Sequence, residues 1–395
     1  MTDIALLRCP FERCDAATLR TEVVHEVDAL PFEWDELVGD RSLIHQRHYL
    51  EALERCPPPR TRLVLALAWD GPLLRAAAVF HLVELRVGEL GRTAAESSWP
   101  VRAFLRTMGT LGLGTPHMLL CGNVLHSDAS GLVCSGVENP AALLHSMTET
   151  VRHQARVPVR LVVCTAPDVG PHHIDLPGLG YHRVSTAQPT MRLDIPPEWT
   201  SWADYLAAMR TKYRQRAKSA RKRGKALVRT RLTADEIIEK ADVIDGLLAP
   251  VLERAEVVLA PITATSLAAL QRQLGDEMQL VLYVHDDQPV GFAVSLRHSG
   301  ELDAMVVGLD DACNRDLKLY QNILYDYVEH AIHTGASTVA FGRCALEIKS
   351  TVGASPHHFD VFVRHPRWLA HTVLGGVLRW LTADQWTPRS PFKIA

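Results

Sequence analysis

Two stretches of this sequence, "RLVLALAWDGPLLRAAAVFHLVEL" (62–85) and "MQLVLYVHDDQPVGFAVSLRHSG" (278–300), restrict its possible folds more than any other feature. Each is a pair of apolar runs around a two-residue turn, Asp70-Gly71 and Asp286-Asp287, the pattern of a β-hairpin. The segments after the two hairpins are also alike. After the first come a buried strand at "HMLLCGN", a helix at "NPAALLHSMTETVRHQAR" with Asn139 as N-cap and Pro140 at its first position, and a strand at "VPVRLVVCTA". After the second come a strand at "ELDAMVVGLD", an amphipathic helix at "DLKLYQNILYDYVEHAIHTGA" and a strand at "STVAFG". Two halves with one order of elements predict a duplicated α/β (α+β) domain.

The remaining segments fit around these units. "FEWDELVG" and "QRHYLEALERC" carry helical spacing, and "CPPPRT" stops the second because prolines cannot continue a helix. A short helix is expected at "VRAFLRTMG", and "GLGYHRVSTAQPTMRLDI" reads as a pair of strands closing the first half. "PPEWT" (196–200) reads as a linker. Two helices are expected between 234 and 275, and "HHFDVFVRH" is a last alternating strand. The predicted division is an N-terminal domain at 1–195, a linker and basic helix at 196–233, and a C-terminal domain at 234–395.

The linker leads into "RTKYRQRAKSARKRGKALVRTR" (210–231), with eleven Lys or Arg and no acid, in a chain of 395 residues whose net charge is −3. Removing the +11 of this run leaves −14, so positive charge is concentrated there and the protein is not generally basic. Ser201 and Asp204 form a capping box, and Tyr205, Met209, Tyr213, Ala217 and Ala220 recur at three- to four-residue spacing. The run is therefore expected to lie on one capped helix with a packed stripe, ending at Gly224. Like charges at i,i+4 destabilise a helix, so an anionic ligand is expected nearby.

Apolar residues at 47% and charged residues at 22% describe a globular chain. No apolar run approaches the roughly 18 residues of a spanning helix, and the N-terminus lacks the pattern of a signal peptide, so a cytoplasmic protein without a membrane span is expected. The eight cysteines are scattered, which suits reduced, mostly buried thiols. Only Cys9 and Cys14 are close, and no second pair completes a zinc site, so no metal is expected.

The element order of hairpin, strand, helix, strand and final strands resembles the GNAT acyltransferase fold. More specific are "YLAAMRTKYRQRAKSARKRG" after the linker and "GRCALEIKSTVGA" after the strand "TVAFG". Together these resemble the tandem-GNAT proteins of the Fem type and their CelD-like relatives, in which a helix Y-x6-K-Y-R precedes the second domain and a strand ending in F-G leads to E-x-K. "LLCGNVL" in the first half resembles a strand of the same relatives. The resemblance implies acyl transfer to an amine, forming an amide. Fem-type enzymes take the acyl group from aminoacyl-tRNA, acting on peptidoglycan precursors or small metabolites, whereas most single-domain GNAT enzymes use acyl-CoA. A CoA-binding domain would place a Gly-rich loop after its fourth strand to hold the pyrophosphate. Here that connection is "VGLDDACNRDLKLYQ", with one Gly and three acids, which favours aminoacyl-tRNA as co-substrate, with no tightly bound cofactor. An acyl-CoA-dependent N-acyltransferase is the alternative. A non-catalytic tRNA- or nucleic-acid-binding protein on the same scaffold is the second.

Lys349 is the expected catalytic cation, neutralising the oxyanion formed when an amine attacks an ester or thioester. Glu347, His357, His358, Asp303 or water could accept the amine's proton, with Glu347 and His357 taken as the catalytic candidates. Lys212, Tyr213, Arg214 and Arg221 on the basic helix, Arg343 with its planar fork, and Asn123 in "LLCGNVL" are the expected substrate-binding residues. No nucleophilic Ser or Cys context stands out, which predicts direct transfer.

Overall fold

A computed structural model describes residues 14–40, 42–85, 115–165, 176–184, 188–255, 259–378 and 386–393. The helix expected at "VRAFLRTMG" and Cys9 lie outside these residues. The first half runs β1 (Arg20–Val24), α1 (Phe32–Val38), α2 (Arg47–Arg55), β2 (Thr61–Asp70), β3 (Leu73–Glu84), β4 (His117–Cys121), β5 (Leu132–Cys134), α3 (Pro140–Gln154), β6 (Val159–Thr165), β7 (His182–Arg183) and β8 (Thr190–Asp194). The second half runs α4 (Trp202–Ala208), α5 (Thr211–Arg223), β9 (Val228–Leu232), α6 (Ala234–Glu239), α7 (Ala241–Arg254), α8 (Ala264–Leu274), β10 (Met278–His285), β11 (Gln288–His298) and β12 (Glu301–Leu309). It ends with α9 (Asp311–Leu317), α10 (Leu319–Thr334), β13 (Thr338–Ala340), α11 (Leu346–Thr351), β14 (Ser355–His357), β15 (Val361–Arg364) and α12 (Trp368–Leu378).

Both hairpins form where the turns predict them. Gly71 has φ 57°, and Asp286 and Asp287 have φ 49° and 59°, the left-handed geometry that a tight hairpin imposes and that Gly and Asp tolerate best. The hairpin strands are apolar on both sides because both sheet faces are covered. Ala76, Ala78, Phe80 and Leu82 of β3 pack with Leu143, Leu144 and Met147 of α3, while Ala77 and Val79 pack with Trp34 of α1 and Leu50 of α2. In the second half Ile323, Leu324 and Val328 of α10 cover one face. Leu267 and Leu270 of α8 cover the other, joined there by Tyr49 and Leu53 of α2, so a helix of the first half completes the core of the second.

The described strands form two mixed sheets. The first is ordered β1-β2-β3-β4-β6-β15-β7, with β5 beside β3, and the second β14-β8-β13-β12-β11-β10-β9. Pairing is antiparallel except for β4 with β6 and β12 with β13, each joined by a helical crossover. The sheets exchange strands reciprocally. β8, the last strand of the first half, lies between β13 and β14, and β15, the last strand of the second, lies between β6 and β7.

This exchange corrects two sequence expectations. β7 and β8 do not pair with each other, and the division at 195 does not follow the sheets. The alternating pattern that marks a strand carries no information about which sheet it joins. The basic run is also divided differently. α4, capped by Ser201, ends at Ala208, and α5 starts at Thr211, with Met209 and Arg210 extended between them. Residues near the C-terminus fill the break. Arg210 N donates to Pro391 O at 2.8 Å, Lys393 N donates to Ala208 O at 3.1 Å, and Phe392 bridges Met209. The end of the run is β9, an edge strand. The pattern expected as one helix at 234–255 is likewise two, α6 and α7, separated at Lys240. All seven described cysteines are free, with Cys344 exposed rather than buried.

Candidate active site

The parallel strands β12 and β13 face each other over three residues only, Glu301–Asp303 against Thr338–Ala340, and then part. β12 continues to Leu309 along β11, whereas the chain beyond Ala340 follows β8, with Phe341 N donating to Met191 O at 2.7 Å and Met191 N to Gly342 O at 3.0 Å. The result is a fork in the middle of the second sheet, opening at the carboxyl end of β13 and on the carboxyl side of the segment where the two strands pair, the side on which α/β proteins place ligands. The equivalent strands of the first half, β4 and β6, stay paired from His117 with Val159 to Cys121 with Cys164. Beyond them Thr165 Oγ1 donates to Ala129 O at 2.7 Å, closing that position.

The loop that leaves β13 is strained. Gly342, Cys344 and Ala345 have φ of 65°, 64° and 48°, and each left-handed non-Gly residue costs about 1 kcal/mol. The turn presents two carbonyl oxygens to Lys349 on α11, whose Nζ donates to Arg343 O at 2.5 Å and Gly342 O at 3.3 Å. Lys349 is buried, and burial pulls its pKa down to about 8, with Cys344 and Asp303 acting weakly in the other direction. A lysine in this state can hold a charge at a developing oxyanion or exchange a proton near neutral pH.

Asp303 marks the base of the fork, being the last residue of β12 to face β13. It is met there by a loop of the first half, residues 122–131. His126 Nδ1 lies 2.5 Å from Asp303 Oδ2. Arg192 of β8 spans Asp128 at 3.1 Å and Glu301 at 3.0 Å, and Thr190 Oγ1 donates to Asp128 at 2.9 Å. Asn123 Oδ1 accepts from Tyr49 Oη at 3.2 Å and from Leu125 N at 2.8 Å. His126 Nε2 and Asn123 Nδ2 are buried with no hydrogen-bond partner among the described residues. Burial alone would lower the His126 pKa, but the carboxylates of Asp303, Asp128 and Glu301 outweigh it and raise it.

The expected site residues divide into three groups. Lys349, Arg343, Asn123 and the weighed alternative Asp303 gather at or beside the fork. Glu347 does not. Its side chain is 54% exposed and bonded to Arg389, because residues two apart on a helix point to different faces and Lys349 takes the buried one. His357 and His358 are exposed, His357 on the outer strand β14 and His358 just beyond it. On the basic helix Lys212 is exposed and Tyr213 and Arg214 are half-buried, Tyr213 packing against the second core. Arg221 is held by acids. It pairs with Asp326 and with Glu329 at 2.8 Å and stacks on Trp202 with its guanidinium 4.7 Å from the ring centre. Arg229 and Arg231 are paired with Asp326 and Asp276. The other eight cations of the run have no acidic partner among the described residues.

The connection after β12 is the short helix α9, capped by Asp310, whose carboxyl accepts from Ala312 N, with Asp311 paired to Arg254. A carboxylate thus occupies the N–H group that a pyrophosphate would need at this turn. Sequence reasoning missed His126, Asp128, Arg192, Glu301 and Tyr49. The first two stand in "CGNVLHSD", immediately after the segment that identified Asn123, which is the one signal that could have found them.

A family model described as an acetyltransferase (GNAT) domain matches residues 207–356. No curated protein matches the chain. Among solved structures, FemX superposes with a TM-score of 0.52 at 11% identity, covering 90% of this chain and 100% of that one. The C-terminal domain of a putative lysylphosphatidylglycerol synthetase from Agrobacterium fabrum gives 0.48 at 11%, covering 88% and 94%. A tandem GNAT protein from the clavulanic acid biosynthesis pathway gives 0.47 at 13%, covering 88% and 98%. Residues 207–356 thus match a GNAT acetyltransferase domain model, and over nearly its whole length the chain has the fold of FemX.

Proposed function

We propose that this acyltransferase forms an amide bond by transferring an aminoacyl group from aminoacyl-tRNA to an amine acceptor at the fork between β12 and β13. The observation that carries the reading is the buried Lys349 ammonium beside that fork, fixed by two carbonyls and within the field of Asp303. Direct attack of the amine on the ester carbonyl places negative charge on the carbonyl oxygen. A fixed cation in a water-poor site is worth roughly 10² to 10³ in rate.

Two features support tRNA as the donor. The acid-capped turn at Asp310 offers a poor seat for CoA pyrophosphate, and the eight cations on and around α5 without acidic partners among the described residues suit a nucleic-acid backbone. That helix borders α11 through Arg389, which bonds Glu347 and feels Tyr213. A second reading, acyl-CoA-dependent N-acyl transfer, is favoured by the description of the family that matches 207–356. The test is incubation with charged tRNA pools and with acyl-CoAs carrying labelled acyl groups. Loss of label from tRNA is expected. Loss from CoA alone would replace the first reading by the second, and loss from neither would leave a binding protein.

A further inference from the structure

The first half of the chain keeps its own parallel strands closed yet sends a loop to the open fork of the second half. That loop is fixed at several points, by Arg192 through Asp128, by Thr190, and by Tyr49 through Asn123. Such fastening of a connecting segment needs a reason, since loops are ordinarily the most variable part of a fold. The residue it delivers is His126, with Nδ1 on a carboxylate and Nε2 buried and unpartnered among the described residues. A base oriented by a carboxylate, with its second nitrogen free of any hydrogen-bond partner among the described residues, is the arrangement that proton abstraction requires. Its carboxylate, Asp303, stands at the point where β12 and β13 part.

We propose that His126 is the proton acceptor of the transfer, its Nε2 taking the proton of the acceptor amine while Asp303 holds Nδ1. This rests on the reading of the fork as an acyl-transfer site. The amine nitrogen attacks the ester carbon, the N–C bond forms and the ester C–O bond breaks with its electron pair on the ribose oxygen. The proton leaves the nitrogen for Nε2, and the imidazolium then returns it to the released oxygen, restoring neutral imidazole. Lys349 and His126 stand on different elements about Asp303, one serving the oxyanion and the other the amine. The first half is thereby part of the catalytic site, which accounts for the retention of a domain whose own fork is closed.

The groups that face His126 are Asp303 and Glu301 from β12, Asp128 from its own loop, Arg192 from β8 through those acids, and Tyr49 from α2, with Lys349 beyond Asp303. The carboxylates raise the pKa above the ordinary histidine value, so the neutral base accumulates at higher pH than it would for a free histidine. The rate of the wild-type protein should rise with pH through that ionisation and fall again as Lys349 loses its proton near pH 8.

Two measurements on the full chain test the proposal. In the wild-type protein, nitrogen NMR of the imidazoles should find His126 with its proton retained on Nδ1 and Nε2 losing its proton above the ordinary histidine range. A proton that stays on Nε2 throughout the alkaline titration overturns the assignment without any activity being needed. The second is transfer from the labelled donor to hydroxylamine as a small acceptor amine. His126→Gln should lower kcat by about 10²-fold and remove the pH step, with KM for the donor unchanged. Asp303→Asn should lower kcat and shift the step. Unaltered kcat and pH profile in His126→Gln overturn the proposal while leaving the acyl-transfer reading intact. A wild-type protein that spends no label from either donor removes that reading and this proposal together.

Discussion

Leu193 of the first half faces Val339 of the second as an antiparallel neighbour in the second sheet. The relation is returned in the first sheet, where Val363 of the second half faces Val163 of the first. Neither sheet is therefore complete without a strand from the other half. A chain cut between 195 and 196 leaves β13 with an open edge, and unpaired edges template aggregation. Residues 196–395 expressed alone should be insoluble, and co-expression with 1–195 should restore a soluble pair that elutes together on size exclusion. Recovery of 196–395 as a folded, soluble monomer would contradict the exchange.

Gly224 ends α5 against α10. A Cβ there would stand 2.7 Å from Asn322 Cγ, and Asn322 cannot yield, being buried with Nδ2 donating to the carbonyls of Ala220, Leu317 and Lys318. The φ of −82° shows that the glycine is needed for space and not for backbone freedom. Gly224→Ala should destabilise the protein by about 2 kcal/mol in urea unfolding, in line with overpacking elsewhere. A change under about 0.5 kcal/mol would mean that α5 shifts freely over α10.

What the sequence made legible was local. The hairpins were marked by Asp70-Gly71 and Asp286-Asp287, the start of α3 by Asn139 and Pro140, and the packed face of α4 and α5 by Tyr205, Met209, Ala217 and Ala220, all buried. The break at Met209 was hidden because its cause lies at Pro391–Lys393, far along the chain. The partners of Arg221 were equally hidden. Asp326 and Glu329 sit on α10 at a spacing that reads simply as its polar face. At the site, Lys349 could be singled out by a motif, whereas His126 meets Asp303 only after the two halves dock.

The basic run divides into cations with structural roles and cations without. Arg221 is half-buried, bonded to two carboxylates and stacked on Trp202 and Tyr325, so Arg221→Ala should cost about 2 to 3 kcal/mol of stability by leaving Asp326 and Glu329 less well paired. Lys218, Lys222 and Arg223 are exposed and have no acidic partner among the described residues. Reversing these three to Glu should leave the urea midpoint unmoved. It should weaken retention of tRNA on filters by at least about tenfold at moderate salt and flatten the dependence of binding on salt. Undiminished tRNA retention in the triple variant would exclude this face as the tRNA contact.

Lys349 should reveal its burial through pH. Its folded pKa is held down at about 8 against an ordinary value of 10.5, so the unfolded chain binds this proton more tightly. Below about pH 8 the side chain is protonated in both states and the penalty of burying the charge is complete. Between about pH 8 and 10.5 the unfolded state carries the extra proton, and the part of stability that belongs to this group rises with pH. Buried phenols such as Tyr205 and Tyr283, whose pKa values are raised mainly by burial, act in the opposite sense at high pH. The informative quantity is therefore a difference, the unfolding free energy of the wild-type protein minus that of Lys349→Met at each pH. It should climb by on the order of 3 kcal/mol across that window, and a flat difference would place the ammonium in water. The same variant should lose about 10² to 10³ in transfer rate with little change in KM for the donor, because the cation acts on charge that exists only in the transition state.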